Sequence, residues 1–162
     1  MRKLFSRLLI LLFIALLPAC GDAPQSPAAS RSLKAVIKTT ALTANRHIAT
    51  IQLAITMPLG VSPKANGAVV EVVNSADHVV QNVSLNDVTY TPASSIAVPG
   101  QIAIGVVQAD GFKENDEITI HLDVAAGTTP VESDFQLLTF EAFDINGATV
   151  TGLSPTLTTT IQ

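Results

Sequence analysis

Beyond residue 32 the chain alternates apolar with polar or small residues in short runs, the period-two signature of strands that bury one face. Residues 33–39 (LKAVIKT) open the series, and 47–56 (HIATIQLAIT) carry Ile48, Ile51, Leu53 and Ile55 among smaller or polar neighbours. Two prolines break the pattern in 57–63. Strands are predicted next at 67–73 and 78–83, around the polar turn 74–77, and at 101–107 and 117–124, around an acidic loop at 108–116. Residues 136–143, a short piece at 148–150 and a closing run at 156–161 complete the set. Residues 88–97 read as an edge strand or a loop, because Pro92 lacks the N–H that a central strand needs. Eight to ten short strands at roughly ten-residue spacing predict an all-β fold, an antiparallel sandwich or barrel.

One apolar run has a different texture. Residues 8–17 are almost purely aliphatic, follow the basic Arg2, Lys3 and Arg7, and lead into Leu17-Pro18-Ala19-Cys20. The run is short of the ~20 apolar residues of a membrane-spanning helix and reads as a secretory signal. Its end resembles the lipobox of bacterial lipoproteins, with small Ala19 before the cysteine. That resemblance implies cleavage before Cys20, diacylation of its thiol and a lipid-held mature chain. Gly21, which is not an acid, implies the outer membrane rather than retention at the inner one. The alternative is a plain signal peptide with an incidental cysteine. The chain thus divides into a signal (1–19), an acylated cysteine with a Pro/Ala/Ser-rich tether (20–32) and a sandwich domain (33–162).

The division changes the charge. The whole chain has a formal net charge of −4, but three of its nine basic residues lie in the signal and none of its thirteen acids do. The mature part carries six basic and thirteen acidic residues, a net charge of −7, which argues against nucleic acid and anionic lipid as partners. Its length is that of one domain with one core. With Cys20 the only cysteine, no intramolecular disulfide forms and packing alone must hold the fold.

Candidate chemistry is sparse. His47, His78 and His121 each lie in or beside a predicted strand without metal-ligand spacing, and read as surface or edge histidines. Period two puts His121, between Ile120 and Leu122, on the polar face. No nucleophile elbow, P-loop or dinucleotide-binding fingerprint occurs, and no acid, base and nucleophile set can be assembled, so the chain reads as a non-enzyme. Asp110, Glu114, Asp116 and Glu117 crowd one loop, while Asp144 and Asn146 occupy a second. Two converging loops could supply the oxygen ligands of Ca²⁺, with Asp110, Glu114, Asp116, Asp144 and Asn146 as the candidate set. The spacing departs from an EF-hand loop, so a solvated acidic loop is the simpler reading, and Asn146-Gly147 is a hairpin-turn signal in its own right. Absence of Trp argues against carbohydrate, which is usually met by flat aromatic platforms. Phe112, between Gly111 and Lys113, is the one loop aromatic that could meet a ligand; the competing reading is a plug at one end of the sandwich.

The order of these features is similar to cohesin-like and carbohydrate-module-like β-sandwiches over about two-thirds of the chain. The resemblance is carried by Met57-Pro58-Leu59-Gly60-Val61, by the stretch from Gly111-Phe112-Lys113 to Ala126-Gly127, and by Phe140-Glu141-Ala142-Phe143-Asp144-Ile145-Asn146-Gly147. It implies a nine-stranded sandwich of jelly-roll topology and a role in protein–protein attachment. The expectation is a lipid-anchored, non-catalytic envelope protein that binds a protein partner. A calcium- or glycan-binding module, or an accessory subunit of a secretion or surface-filament assembly, are the alternatives.

Overall fold

A computed structural model describes residues 30–40, 48–74, 78–80, 83–113 and 116–162. Their strands are β1 (Arg31–Thr40), β2 (Ile48–Met57), β3 (Val61–Pro63), β4 (Val70–Val73), β5 (Val83–Thr91), β6 (Gly100–Phe112), β7 (Glu117–Val124), β8 (Leu137–Asp144) and β9 (Ser154–Ile161). A short 3₁₀ turn, Glu132–Asp134, precedes β8. One sheet has the order β3-β7-β1-β9, with β4 also paired to β7; the other has the order β5-β6-β2-β8. Every pairing is antiparallel.

The two sheets form an antiparallel β-sandwich, and strand alternation explains how they meet. In the first sheet Leu33, Ala35 and Ile37 of β1 and Ile118, Ile120, Leu122 and Val124 of β7 are buried. In the second, Ile51, Leu53, Ile55 and Met57 of β2 and Ile102, Ile104 and Val106 of β6 are buried. These residues belong to one hydrophobic cluster, with every second side chain of each strand pointing into it. Among the described residues no helix is long and apolar enough to cross a membrane.

The sandwich has two distinct ends. At the first, Arg31 lies opposite Val124, Leu33 opposite Ile161, Met57 opposite Gly100, and Thr91 opposite Gln101. The chain therefore enters the domain beside the β2–β3 turn, the β5–β6 loop and the β7–β8 connection. The second end holds the β6–β7 and β8–β9 connections, with Ile48 opposite both Phe112 and Asp144.

Several boundaries differ from the sequence reading. The acidic loop shrinks to 113–116, because β6 runs on to Phe112. Within the predicted strand at 78–83, Val79 makes a single bridge to Val73, and β5 begins at Val83 and runs through Thr91. The stretch 148–150 is also only a bridge, Phe143 to Thr149, with Val150 N–H donating to Ala142 O. The proline-broken segment contains the short β3, whose Pro63 sits at a strand end on the sheet edge, where its missing donor costs no ladder bond.

Thr119 breaks the packing rule. It lies on β7 facing away from the core, yet it is fully buried, and its hydroxyl has no hydrogen-bond partner among the described residues. The Lys38–Glu117 ion pair and the His121–Glu71 hydrogen bond flank it along the same face, and Val36 lies opposite it in register. A desolvated hydroxyl without a partner costs about 1–3 kcal/mol, so Thr119→Val, which keeps the shape, is expected to stabilise the domain by about 1 kcal/mol. The test is a higher urea midpoint at unchanged slope.

Candidate functional site

The outer face of the second sheet is built by register. Gly105 of β6 stands opposite Asp87 of β5 on one side and Gln52 of β2 on the other, and Gln52 stands opposite Glu141 of β8. One row thus reads Asp87, Gly105, Gln52, Glu141 across four strands. The next reads Thr89, Ala103, Ala54, Thr139. The middle strands offer mostly small residues, and the outer strands offer longer or polar ones. The result is a groove of about 400 Å³ with Gly105, Ala103 and Ala54 in its floor and carboxylates at both rims. Three strand spacings separate the rims, about 14 Å.

Asp87 reaches this row through an irregularity. Leu85 pairs with Val106 and Asp87 with Gly105, so two residues of β5 match one step of β6. Such a bulge changes the phase of a strand and re-aims the side chains beyond it. The Thr89 hydroxyl, on the same face, donates to the Asp87 carboxylate at 3.3 Å. Asp87, Gln52 and Glu141 are all exposed. Chemically the face offers two hydrogen-bonding carboxylates, one amide and the hydroxyls of Thr50, Thr89 and Thr139 around a floor of small residues, with no aromatic ring lining it.

The residues singled out from sequence sit elsewhere. Cys20, His47 and Glu114 lie outside the described residues. Phe112 is only 7% exposed and packs in the core cluster at the second end of the sandwich, in keeping with the plug reading of this residue. Asp110, Asp116, Asp144 and Asn146 share that end, but Ile48 of β2 stands between the two loops. Asp116 is buried and closes its turn by accepting from Lys113 N–H at 2.9 Å. The Asp144 carboxylate accepts from the N–H groups of Asn146 and Ala148 at 2.8 and 2.9 Å, the geometry of a side chain that caps its own hairpin. Among the described residues, no three His, Cys, Asp or Glu side chains come together in a way that could hold a metal ion. His78 is exposed, its backbone N–H donating to Asn74 Oδ1. His121 lies on the polar face of the first sheet, its Nε2 3.1 Å from Glu71 Oε2.

Sequence reasoning missed Asp87, Gln52 and Glu141. The only local signal was a polar residue in each alternating strand, which marks an outer face but says nothing of which strands lie side by side. No family model, no curated protein and no solved structure matches this chain.

Proposed function

We propose that the protein is a lipid-anchored, non-catalytic attachment domain of the bacterial envelope. Cys20 carries the anchor, and the outer face of the β5-β6-β2-β8 sheet takes a protein partner. The observation that carries the binding half is the in-register row Asp87, Gly105, Gln52, Glu141: a floor low at Gly105, with the Gln52 amide rising beside Glu141, between two acidic rims. A gap of about 14 Å matches an α-helix with its side chains, which is about 10–12 Å across. Rim carboxylates complement a helix that bears Lys or Arg on both flanks, and they set register and on-rate. The aromatic-free lining favours such a partner over a glycan.

The anchor is tested first by labelling. Wild-type protein is expected to incorporate palmitate, and Cys20→Ala to lose the label entirely and to retain the signal segment. Equal labelling of the two forms, or none of the wild type, would sink this half of the reading. The binding half is tested by affinity capture of the acylated protein from gently solubilised envelope. A reproducible protein partner whose capture weakens as salt rises is the expected result. Capture of no protein at low salt would refute it.

A further inference from the structure

Three turns at the first end of the sandwich carry aliphatic residues where turns ordinarily carry Gly, Asn, Asp, Pro or Ser. In the β5–β6 loop, Val98 N–H donates to Ser95 O and closes a turn whose tip is Ile96-Ala97; Ile96 is 91% exposed. In the β2–β3 turn, Val61 N–H donates to Pro58 O, Gly60 takes the positive φ of 80°, and Leu59 projects at the corner, 47% exposed. In the β7–β8 connection, Val131 follows Pro130 and is 57% exposed. Leu59, Ile96 and Pro130 line one shallow hollow of about 470 Å³, so the tips are neighbours.

This apolar rim lies where the chain enters the domain. Arg31, at the start of β1, donates from its guanidinium to Thr128 O at 2.6 Å. Thr128 lines the same hollow and backs the Gly60 turn so closely that a Cβ there would stand 2.3 Å from its Oγ1. Cys20 precedes Ser30 by ten residues, at most about 35 Å of extended chain. An anchor at Cys20 therefore keeps this end within about 35 Å of the bilayer, while the Ile145 end can lie a further strand length away.

We propose that the rim formed by Leu59, Ile96 and Val131 rests in the interfacial layer of the membrane that holds the anchor, fixing the domain with its chain-entrance end down. The proposal rests on the acylation of Cys20 argued above. No aromatic or arginine side chain lines the hollow between the tips, and separate aliphatic tips suit a lipid plane better than a protein hot spot. Charge is not the attraction: at this end Arg31 is set against the exposed Glu132 and Asp134 that follow Val131, which leaves no positive excess to draw anionic headgroups. Uncharged lipid therefore suffices. A contact too weak to hold a free domain is effective once the tether makes it intramolecular.

The test uses the acylated full chain in vesicles of phosphatidylethanolamine and phosphatidylcholine, with mass spectrometry of the mature N-terminus alongside. A fluorophore is attached through Ala97→Cys at the tip, or through Ile145→Cys at the far end as control. Brominated acyl chains are expected to quench the first label and not the second, and adding Leu59→Asp and Ile96→Asp to the first is expected to abolish its quenching. An acylated protein whose Ala97→Cys label stays unquenched overturns the docking and leaves the anchor standing. A mature chain without acyl groups overturns both. Shielding of the tip in native envelope but not in protein-free vesicles overturns the lipid assignment in favour of a protein partner.

Discussion

Ile120→Ala is expected to destabilise the domain by about 3 kcal/mol or more, within the usual 2–5 kcal/mol for truncating a buried isoleucine. Ile120 is fully buried at the middle of β7, the strand that pairs with β1, β3 and β4 and so holds the first sheet together. Its neighbours in register are Ala35 and Val70. Ala35 has no further atoms to swing into the void, so the cavity stays open and its cost is not relieved by repacking. A domain of this size has a total stability of roughly 5–15 kcal/mol, and the lone cysteine rules out an intramolecular disulfide that would restrain the unfolded chain. The loss is read as a lower urea midpoint at constant slope, with Ile145→Ala, 72% exposed, as a control expected within about 0.5 kcal/mol of wild type. A cost below about 1 kcal/mol at Ile120 would contradict the packing of β7 between its partners.

How much of this was legible depended on whether a strand kept its period. β2 and β7 alternate without interruption through their central residues, and both were placed from sequence to within about one residue. β5 was not, because the irregularity between Leu85 and Asp87 shifts its phase in the middle and spoils the alternation on which the reading relied. The far half of β6 was hidden for a different reason. Gln108 and Asp110 look like loop residues, yet β6 continues through them and Gln108 is buried. The candidate site shows the same contrast. Asp110 and Asp116 drew notice because they crowd one stretch of sequence, and Asp144 because it shares a turn with Asn146; the structure uses Asp116 and Asp144 to close turns. Gln52, Asp87, Gly105 and Glu141 are scattered along the sequence, and each is ordinary alone. Only the strand order β5-β6-β2-β8 and its register set them in one row, and pairing between distant strands is what a period-two pattern leaves open.

Gln52→Arg is expected to lower capture of the protein partner at least about thirtyfold, a loss of roughly 2 kcal/mol at the centre of an interface. Gln52 is exposed on β2 and lies directly opposite Glu141. Cross-strand neighbours have Cβ atoms about 4.5–5.5 Å apart, so the guanidinium reaches the Glu141 carboxylate and lies over the floor between the rims. The substitution thus fills the groove, occupies one of the two acids and adds a positive charge facing the helix that the groove is argued to take. Each effect opposes binding, and none disturbs the core, because the side chain at this position points away from it. Melting should stay within the range of a surface change, and palmitate incorporation at Cys20 should be untouched, which separates loss of the face from loss of the anchor. Thr160→Arg, in register with Lys34 on the outer face of the first sheet, adds the same single positive charge without entering the groove and is expected to leave capture intact. Equal capture by wild type and Gln52→Arg would remove the β5-β6-β2-β8 face from consideration. Equal losses in Gln52→Arg and Thr160→Arg would instead mean that the partner reads net charge, and the row of four would then have no special part in recognition.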